Sequence, residues 1–256
     1  MINFVGAGPG AVDLITVRGM ELIKNADVII YAGSLVNPAL LEYAGEGTEI
    51  HDSAKMTLEE VLDVMIPAYE AGKEVVRLHT GDASIYGAIR EQMDELDKRG
   101  IPYATCPGVS SAFGAAASLN LEYTLPGISQ TLILTRMEGR TAVPELEKIE
   151  LLASHKASMA IYLSAGMLDE LSKRLIAGGY EKDTPAALIY KATWPEEKKI
   201  VCTLGTLASE GEKAGIKRTA IVLVGDAIKT SNYERSKLYD PAFTTEFRQA
   251  KNPDLI

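Results

Sequence analysis

Short apolar runs alternate with amphipathic segments over the first 105 residues. The predicted strands cover 2–5, 28–31, 75–78 and 103–105, and the predicted helices cover 16–25, 57–71 and 84–99. Thr57 stands three residues before Glu60, a spacing that predicts a capping box at the start of the second helix. Strands that alternate with helices are typical of a parallel sheet with helical crossovers, so the pattern predicts an α/β fold.

A second series of such segments follows residue 127, and its members are closer together and end in strands. They cover 131–135, 144–154, 159–163, 167–177, 186–190, 200–203 and 219–224. We therefore predict two α/β domains, 1–122 and 123–230, and a C-terminal tail at 231–256 in which charges are mixed with aromatic residues. That tail either wraps the body of the protein or is partly disordered.

Charge is distributed unevenly along the 256 residues, whose formal net charge is −9. Residues 1–125 sum to −10 and residues 126–256 to +1. An acidic surface opposes the phosphate contacts on which nucleic-acid binding relies, so DNA and bulk RNA are not expected partners. The near-neutral second half is the better candidate for contact with an anionic ligand.

Cysteine and histidine usage excludes several kinds of site. Cys106 and Cys202 form neither a disulfide framework nor a metal-binding pair, which favours a reducing, cytoplasmic setting. The three histidines, His51, His79 and His155, fit no ligand spacing, so we expect no metal. No apolar run approaches the roughly 20 residues of a membrane helix, and the N-terminal run has no basic region or cleavage site, so no membrane contact is expected.

A glycine-rich loop follows the first predicted strand. Gly6, Gly8 and Ala11 satisfy G-x-G-x-x-G/A, the fingerprint of dinucleotide binding, so a nicotinamide or flavin oxidoreductase is one candidate. That fingerprint also requires a carboxylate after the second strand, and residues 32–34 supply none. Pro9 removes one backbone donor that a pyrophosphate would use. A turn with no ligand is the remaining alternative.

Two more loops of small residues follow the strands at 75–78 and 103–105. Residues 80–87 read TGDASIYG and residues 106–111 read CPGVSS. Because loops at the carboxyl ends of parallel strands lie along one edge of a sheet, we expect the three loops to line one ligand site. Asp82, Ser110 and Ser111 offer donors and acceptors for a polar or cationic ligand. Helix capping is the alternative, by Asp82 or Ser84 in the second loop and by Ser110 in the third.

Taken in order, these three loops resemble those of the tetrapyrrole methylases. The matching segments are VGAGPG at 5–10 with DLIT at 13–16, TGD at 80–82 with YG at 86–87, and PGVSS at 107–111. The resemblance extends from residue 2 to about 228. It implies two α/β domains with the cofactor S-adenosylmethionine in the cleft between them, usually in a homodimer.

One branch of that family resembles the chain more closely. The segments YAGSLV at 31–36, TRMEGRT at 135–141 and YKATWP at 190–195 are similar to the branch that methylates C11 of precorrin-4, or of cobalt-precorrin-4, in cobalamin biosynthesis. The product would be precorrin-5. A sibling that methylates another carbon of the corrin ring, or uroporphyrinogen III, is the nearest alternative. A degenerate member that only binds corrin intermediates is a further one.

The resemblance assigns cofactor contacts residue by residue. They are Pro9, Thr80, Gly81, Asp82, Ile85, Ser110, Ser111, Leu163, Ala192, Thr219 and Ala220. Members of the family differ at several of these positions, which suggests that many contacts are made by backbone atoms. Uroporphyrinogen-III methylases have an Asp, proposed as a base, where this chain has Gly33, so we assign no catalytic residue.

Methyl transfer to an electron-rich ring carbon mainly requires that donor and acceptor are aligned. The macrocycle carries several carboxylates, which guanidinium groups bind in bidentate fashion. Arg136 and Arg140, which flank Glu138, are the candidate substrate contacts, and a local ion-paired turn is the alternative. Lys191 and Arg77 are weaker candidates, whereas His79, one residue before the second loop, either lines the cleft or is a capped histidine at a strand end, which is the favoured interpretation. Tyr31 could face the ring or pack in the core.

Overall fold

The computed structural model describes residues 1–251, which form two compact units. The first unit comprises Met1–Ser118 together with Tyr190–Lys198, and the second comprises the rest of the described chain. The predicted division was 1–122, 123–230 and a tail at 231–256, whereas here 190–198 groups with the first unit and the described tail residues, 231–251, group with the second. The segment 190–198 belongs to the first unit, although in sequence it connects two strands of the second unit's sheet.

A five-stranded parallel sheet forms the centre of the first unit, in the order β3-β2-β4-β1-β5. Its strands are β1 (Ile2–Gly6), β2 (Val28–Tyr31), β3 (Glu49–Asp52), β4 (Val75–His79) and β5 (Tyr103–Cys106), and its helices are α1 (Val17–Lys24), α2 (Leu58–Glu70), α3 (Arg90–Asp97) and α4 (Ser111–Leu119). Apolar cores cover both faces of the sheet. The predicted α/β class and the parallel sheet are confirmed.

Local signals fix several helix ends. Thr57 Oγ1 accepts from the Glu60 N–H, and the Glu60 carboxylate accepts from the Thr57 N–H, so the predicted capping box is present. The helix predicted at 84–99 is confirmed only from Arg90, because Tyr86 and Ala88 are in the left-handed region and Gly87 packs on the backbone of Ala83. A left-handed residue cannot continue a right-handed helix.

β3 and α4 are elements that the sequence pattern does not predict. β3 reads EIHD and lies at an exposed edge of the sheet. It therefore lacks the apolar run from which a strand is predicted. α4 reads SAFGAAASL, whose small residues give little difference between one helical face and the other.

The second unit contains a mixed five-stranded sheet in the order β6-β7-β10-β8-β9. Its strands are β6 (Leu132–Arg136), β7 (Ser158–Tyr162), β8 (Pro185–Tyr190), β9 (Lys198–Thr203) and β10 (Ala220–Val224), and its helices are α5 (Ile149–Ala153), α6 (Leu168–Ala177) and α7 (Leu207–Lys213). β6 is parallel to β7, whereas β10 is antiparallel to it. Each predicted segment is occupied by an element, and α7 was missed.

The tail is described as far as Lys251. Arg248 organises it locally, since its guanidinium donates to the carbonyls of Leu238, Asp240 and Phe243. The last predicted tail residues, 252–256, lie outside the described part of the chain. In residues 1–251, no helix has both the length and the apolar character that crossing a bilayer requires.

Candidate functional site

The three glycine-containing loops meet at backbone distance in the first unit. A Cβ placed on Gly6 would lie 2.6 Å from the Gly108 nitrogen and 2.7 Å from the Gly81 carbonyl oxygen. A Cβ on Gly108 would lie 2.2 Å from the same carbonyl oxygen. Side chains at these two positions would force the backbones apart, so glycine is required for close approach rather than for an unusual backbone conformation. The predicted convergence of the loops is therefore observed.

Two hydrogen bonds connect the first loop to the second. Gly8 N–H donates to the Gly81 carbonyl at 3.2 Å, and Gly81 N–H donates to the Gly8 carbonyl at 2.8 Å. Gly8 has φ +80° and Gly81 has φ +61°, conformations that favour glycine. This short antiparallel bridge fixes both loops beyond the ends of their strands.

Asp82 connects the second loop to the third. Its Oδ2 accepts from Gly108 N–H at 2.9 Å, and its Oδ1 accepts from the N–H and the hydroxyl of Ser84. Partial burial raises the pKa of the Asp82 carboxyl, but the bonds from Ser84 and Gly108 outweigh burial and hold that pKa below its usual range. Asp82 is therefore an ionised structural link between loops, and no helix follows it for it to cap.

Three amide groups of the first loop donate within the protein. Ala7 N–H donates to the His79 carbonyl, Gly8 N–H to Gly81, and Ala11 N–H to Thr193 Oγ1 at 3.0 Å. Pro9 has no N–H to offer. α1 begins only at Val17, behind a separate 3₁₀ turn. A pyrophosphate would need these amides and an adjoining helix N-terminus, so the geometry opposes the dinucleotide interpretation.

The segment Tyr190–Lys198 covers the first loop within the same unit. Trp194 Nε1 donates to the Pro9 carbonyl at 3.1 Å, and a Cβ on Gly10 would fall 2.0 Å from the Trp194 ring. Glu197 accepts from Thr193 N–H and from the Ser118 hydroxyl, which holds the segment in place. This contact was not predicted, because its partners are more than 180 positions apart in the sequence. The only indication in the sequence was the run of small residues in the first loop, which leaves room for a large side chain.

The remaining cofactor candidates of the first unit lie around these loops. Thr80 and Ile85 line a cavity of about 250 Å³. Ser110 is buried, and its carbonyl accepts from the N–H groups of Phe113 and Gly114 in the first turn of α4, where Ser111 stands. Ala192 is buried in the covering segment. All eight first-unit candidates thus lie in the loops that follow β1, β4 and β5, at the start of α4, or in Tyr190–Lys198.

Three further candidates lie in the second unit, at one edge of its sheet. The antiparallel register pairs Val222 with Ile161, which brings Ala220, at the start of β10, level with Leu163, just after β7. Leu163 and Thr219 have φ +54°, a conformation that costs energy in residues with a side chain. Backbone strain of this kind is concentrated at functional sites. The positive φ of Leu163 and Thr219 is therefore a local indication that these two residues belong to a site.

Comparison with known proteins identifies the family. The family model of the Tetrapyrrole (Corrin/Porphyrin) Methylases matches residues 1–208. The chain belongs to the tetrapyrrole methylases. It is 54% identical to the cobalt-precorrin-4 C(11)-methyltransferase of Methanocaldococcus jannaschii over 97% of this chain and 96% of that protein. It is 41% identical to a Sinorhizobium precorrin-4 C(11)-methyltransferase over 96% and 98%.

A solved structure agrees with this assignment. The X-ray structure of a cobalamin biosynthetic enzyme, cobalt precorrin-4 methyltransferase, superposes with a TM-score of 0.87 and 44% sequence identity, covering 90% of this chain and 96% of that one. The methylase fold and the resemblance found from the loops are therefore confirmed.

The candidate substrate arginines of the methylase differ in their surroundings. Arg136 donates to the carbonyls of Thr141 and Ala142, so its guanidinium organises the loop after β6. Arg140 is exposed and makes no hydrogen bond or ion pair with any residue in 1–251. Of the two, Arg140 is the one available to a carboxylate.

Glu138 is paired with neither of these arginines. Its Oε1 lies 2.6 Å from Arg174 Nη2 of α6, and Arg174 also binds Glu150 of α5. The bond from Arg174 holds the pKa of Glu138 below its usual range, and the two carboxylates raise the pKa of Arg174. The local ion-paired turn considered from the sequence is replaced by this ion triad across three elements.

Tyr31 and Lys191 lie in the first unit of the methylase. Tyr31 ends β2 and is half-buried, and its carbonyl accepts from the Ser53 hydroxyl. Lys191 Nζ lies 4.8 Å from the centroid of the Trp194 ring and 3.5 Å from Glu196. Its charge is therefore shared between an aromatic face and a carboxylate.

Asp52 is a residue that sequence reasoning missed. Gly33 N–H donates to Asp52 Oδ1 at 3.1 Å, and a Cβ on Gly33 would lie 2.3 Å from both carboxylate oxygens. The parallel register that pairs Tyr31 with Asp52 brings this about. A carboxylate from β3 thus occupies the space of a side chain at position 33.

Among residues 1–251, no cluster of three or more His, Cys, Asp or Glu side chains could hold a metal ion.

Proposed function

We propose that this methylase transfers a methyl group from S-adenosylmethionine to C11 of precorrin-4, or of its cobalt form, and so produces precorrin-5. The observation that supports it most directly is the near-complete alignment with relatives that bear this activity in their names. The segment that follows β2 and the loop that follows β6, which resemble the C11 branch, favour it over a sibling acting at another carbon.

The residues present fit S-adenosylmethionine. The contacts of Gly6, Gly81 and Gly108 bring backbone rather than side chains to the edge of the sheet, and Leu163 and Thr219 are held in a strained backbone conformation. The residues proposed to hold the cofactor are Pro9, Thr80, Gly81, Asp82, Ile85, Ser110, Ser111, Leu163, Ala192, Thr219 and Ala220. When bound, S-adenosylmethionine supplies a methyl group on a sulfonium.

The chain's own contribution is binding, orientation and exclusion of water. Asp82 is ionised and holds two loops together, so it positions backbone rather than accepting a proton. Rigid loops favour reaction because alignment of donor and acceptor can account for much of the rate enhancement. A site shielded from water favours a reaction in which the charge on sulfur disappears. We assign no group as the catalytic base.

Carboxylates of the macrocycle need cationic partners. The proposed substrate site comprises the cations Arg136, Arg140 and Lys191 together with Tyr31 and Glu138. Arg140 is the principal candidate because no other described residue pairs with it. Glu138 and Arg136 act by shaping the loop in which Arg140 stands.

We further propose a cytoplasmic homodimer that binds no nucleic acid. Both cysteines are free, as expected in a reducing compartment. Tyr239 and Phe247 of the tail are 81% and 92% exposed, which favours a partner surface. Sedimentation equilibrium tests the dimer, and a purely monomeric protein at micromolar concentration would exclude it. A filter-binding assay at low salt tests the expectation that the protein binds no nucleic acid, and retention of DNA or RNA on the filter would contradict it.

Product analysis tests the reaction. Precorrin-4 and cobalt-precorrin-4 are supplied anaerobically with S-adenosylmethionine labelled with ¹³C in its methyl group. The expected product carries one label, which NMR assigns to C11. A label at another carbon would favour the sibling function, and binding of the macrocycle with no transfer would favour a carrier. Titration with S-adenosylhomocysteine and with NADH is the control against an oxidoreductase. A methyltransferase should bind S-adenosylhomocysteine, whereas an oxidoreductase should bind NADH tightly.

A further inference from the structure

Two polar side chains lie where the first unit should have an apolar core. Successive side chains of a strand point to opposite faces, so Val75, Arg77 and His79 share the face of β4 that packs on α2 and α3. Their neighbours on this face include Phe4 and Val61. Arg77 is only 7% exposed and His79 only 5%.

The guanidinium of Arg77 has no acidic partner in residues 1–251. It donates to the Gln92 side-chain oxygen and to the Ile30 carbonyl, both at 3.2 Å. Burial lowers the pKa of Arg77 to about 10, so the group remains a cation at neutral pH. A buried charge without a counter-charge is costly, and packing alone gives no reason to keep it.

His79 is also incompletely satisfied. Its Nε2 is buried and has no hydrogen-bond partner among the described residues. Burial, and then the charge of Arg77, lower the pKa of His79 to about 3, so the imidazole is neutral. Its ring is stacked on Phe4, with centroids 6.2 Å apart. Orphaned polar atoms of this kind are rare in protein cores.

Both side chains line the cavity of about 250 Å³ mentioned above. Thr80 and Ile85 of the proposed cofactor site line it too, as do Ala32 and Ser53. The volume lies below the roughly 300–1,000 Å³ of complete ligand sites, so the cavity can take a side group of a ligand but no macrocycle. Glu91 is the one acidic residue in the lining, and it is exposed to water.

We propose that Arg77 and His79 form a subsite for a carboxylate, namely one acidic side chain of the macrocycle. The carboxylate would supply the missing counter-charge to Arg77 and accept a hydrogen bond from His79 Nε2. This inference rests on the proposed function and deepens it. The subsite explains how an anion is held in the acidic half of the chain, since residues 1–125 carry a net charge of −10. The amino-acid end of S-adenosylmethionine is a second source of the same chemical group.

Binding measurements distinguish the two sources. Uroporphyrin III, an octacarboxylate macrocycle, is titrated by fluorescence and S-adenosylhomocysteine by calorimetry, using wild type, Arg77→Met and His79→Phe. We expect about 10- to 100-fold weaker uroporphyrin binding in Arg77→Met, partial recovery in Arg77→Lys, and S-adenosylhomocysteine affinity within about twofold of wild type. Arg18→Met is the matched control, because it removes one exposed cation from the same unit.

Three results would overturn the proposal. Unchanged uroporphyrin affinity in both core variants would remove the subsite. Loss of S-adenosylhomocysteine affinity alone would assign the carboxylate to the cofactor. A lower midpoint of unfolding in Arg77→Met, together with parallel loss of both ligands, would show a structural role, since replacing an unpaired buried charge by an apolar group of similar length should leave stability unchanged or raise it.

A measurement on the unaltered protein separates this inference from the proposed function. The chain has three histidines, so the ring signals of ¹⁵N-histidine-labelled protein are few, and His79→Phe identifies one of them. Sodium acetate is expected to shift the His79 signal and to leave those of His51 and His155 unchanged, whatever reaction the protein performs. No shift of His79 at saturating acetate would contradict an anion subsite.

Discussion

Asp82→Asn tests whether a carboxylate linking two loops is essential to the site. The carboxylate accepts three hydrogen bonds, one from Gly108 N–H and two from Ser84. A carboxamide has one carbonyl oxygen, so it can accept from the Gly108 N–H or the Ser84 N–H but not from both. In either orientation the NH₂ group of the carboxamide faces the other N–H, which is also a donor. The hydrogen bonds that remain are then made to a neutral oxygen and are weaker than those to a carboxylate.

The magnitude follows from that count of bonds. Hydrogen bonds to charged groups contribute about 1.5–3 kcal/mol and neutral ones about 1 kcal/mol, and Asp82 is half-buried, which places it at the lower end. We expect Asp82→Asn to lower the free energy of unfolding of the first unit by about 2 kcal/mol. The loosened third loop should weaken S-adenosylhomocysteine binding about tenfold.

The assay uses a convenient probe, because Trp194 is the one tryptophan of the chain and packs on the first loop. Urea unfolding followed by its fluorescence therefore reports on the unit that contains Asp82, and calorimetry measures the ligand. Asp63→Asn is the matched control, since it removes an exposed carboxylate from α2. A full loss of ligand affinity with an unchanged unfolding midpoint would refute the linking role and show direct contact with the cofactor.

The pH dependence gives an independent check. The pKa of Asp82 is lower in the folded protein than its usual value of 3.8, so its stabilising contribution is fully present above that value and is lost as the pH falls through the folded pKa. The stability difference between wild type and Asp82→Asn should be constant from about pH 5 to 8 and shrink below about pH 4. A difference that grew on acidification would contradict this sign.

Further substitutions test other contacts. Gly108→Ala places a Cβ 2.2 Å from the Gly81 carbonyl oxygen and should destabilise the protein by about 3 kcal/mol, whereas Gly72→Ala, which meets open space at φ +77°, should cost only about 1 kcal/mol in the same urea titration. Trp194→Phe removes the bond to the first loop, so S-adenosylhomocysteine affinity measured by calorimetry should fall a few-fold; the free energy of unfolding, followed by circular dichroism because this variant has no tryptophan, should fall by about 1 kcal/mol. Thr57→Ala should lower stability by about 1 kcal/mol and leave ligand affinity unchanged.

Local signals made much of the first unit predictable. The capping box at Thr57 and Glu60, the apolar strands and the first two helices are properties of neighbouring residues, and they appear in the structure where the pattern placed them. β3 escaped detection because an exposed edge strand needs no apolar face. Because β3 was not predicted, Asp52 was not identified as a neighbour of Gly33. Its carboxylate reaches Gly33 only because the register of β2 and β3 aligns Tyr31 with Asp52.

Beyond the convergence of the three loops, which follows from the parallel sheet, contacts between distant residues were not predictable. Trp194 and Thr193 bind the first loop from more than 180 positions away, and no periodicity reports such a pairing. Likewise, Arg77 and His79 alternate with apolar residues in a strand that reads as ordinary, and only their burial shows that two polar groups face a cavity. Sequence pattern identifies residues on one face of an element, but not what that face meets.

The first loop shows why one glycine pattern serves two kinds of site. In a dinucleotide fold the glycines bring amide groups toward a pyrophosphate at a helix N-terminus. Here Gly6 and Gly8 bring the loop against Gly81 and Gly108 instead, and three of its amides donate to His79, Gly81 and Thr193. Because both uses demand a missing Cβ, the spacing of glycines cannot separate them, and the acceptor of each N–H can.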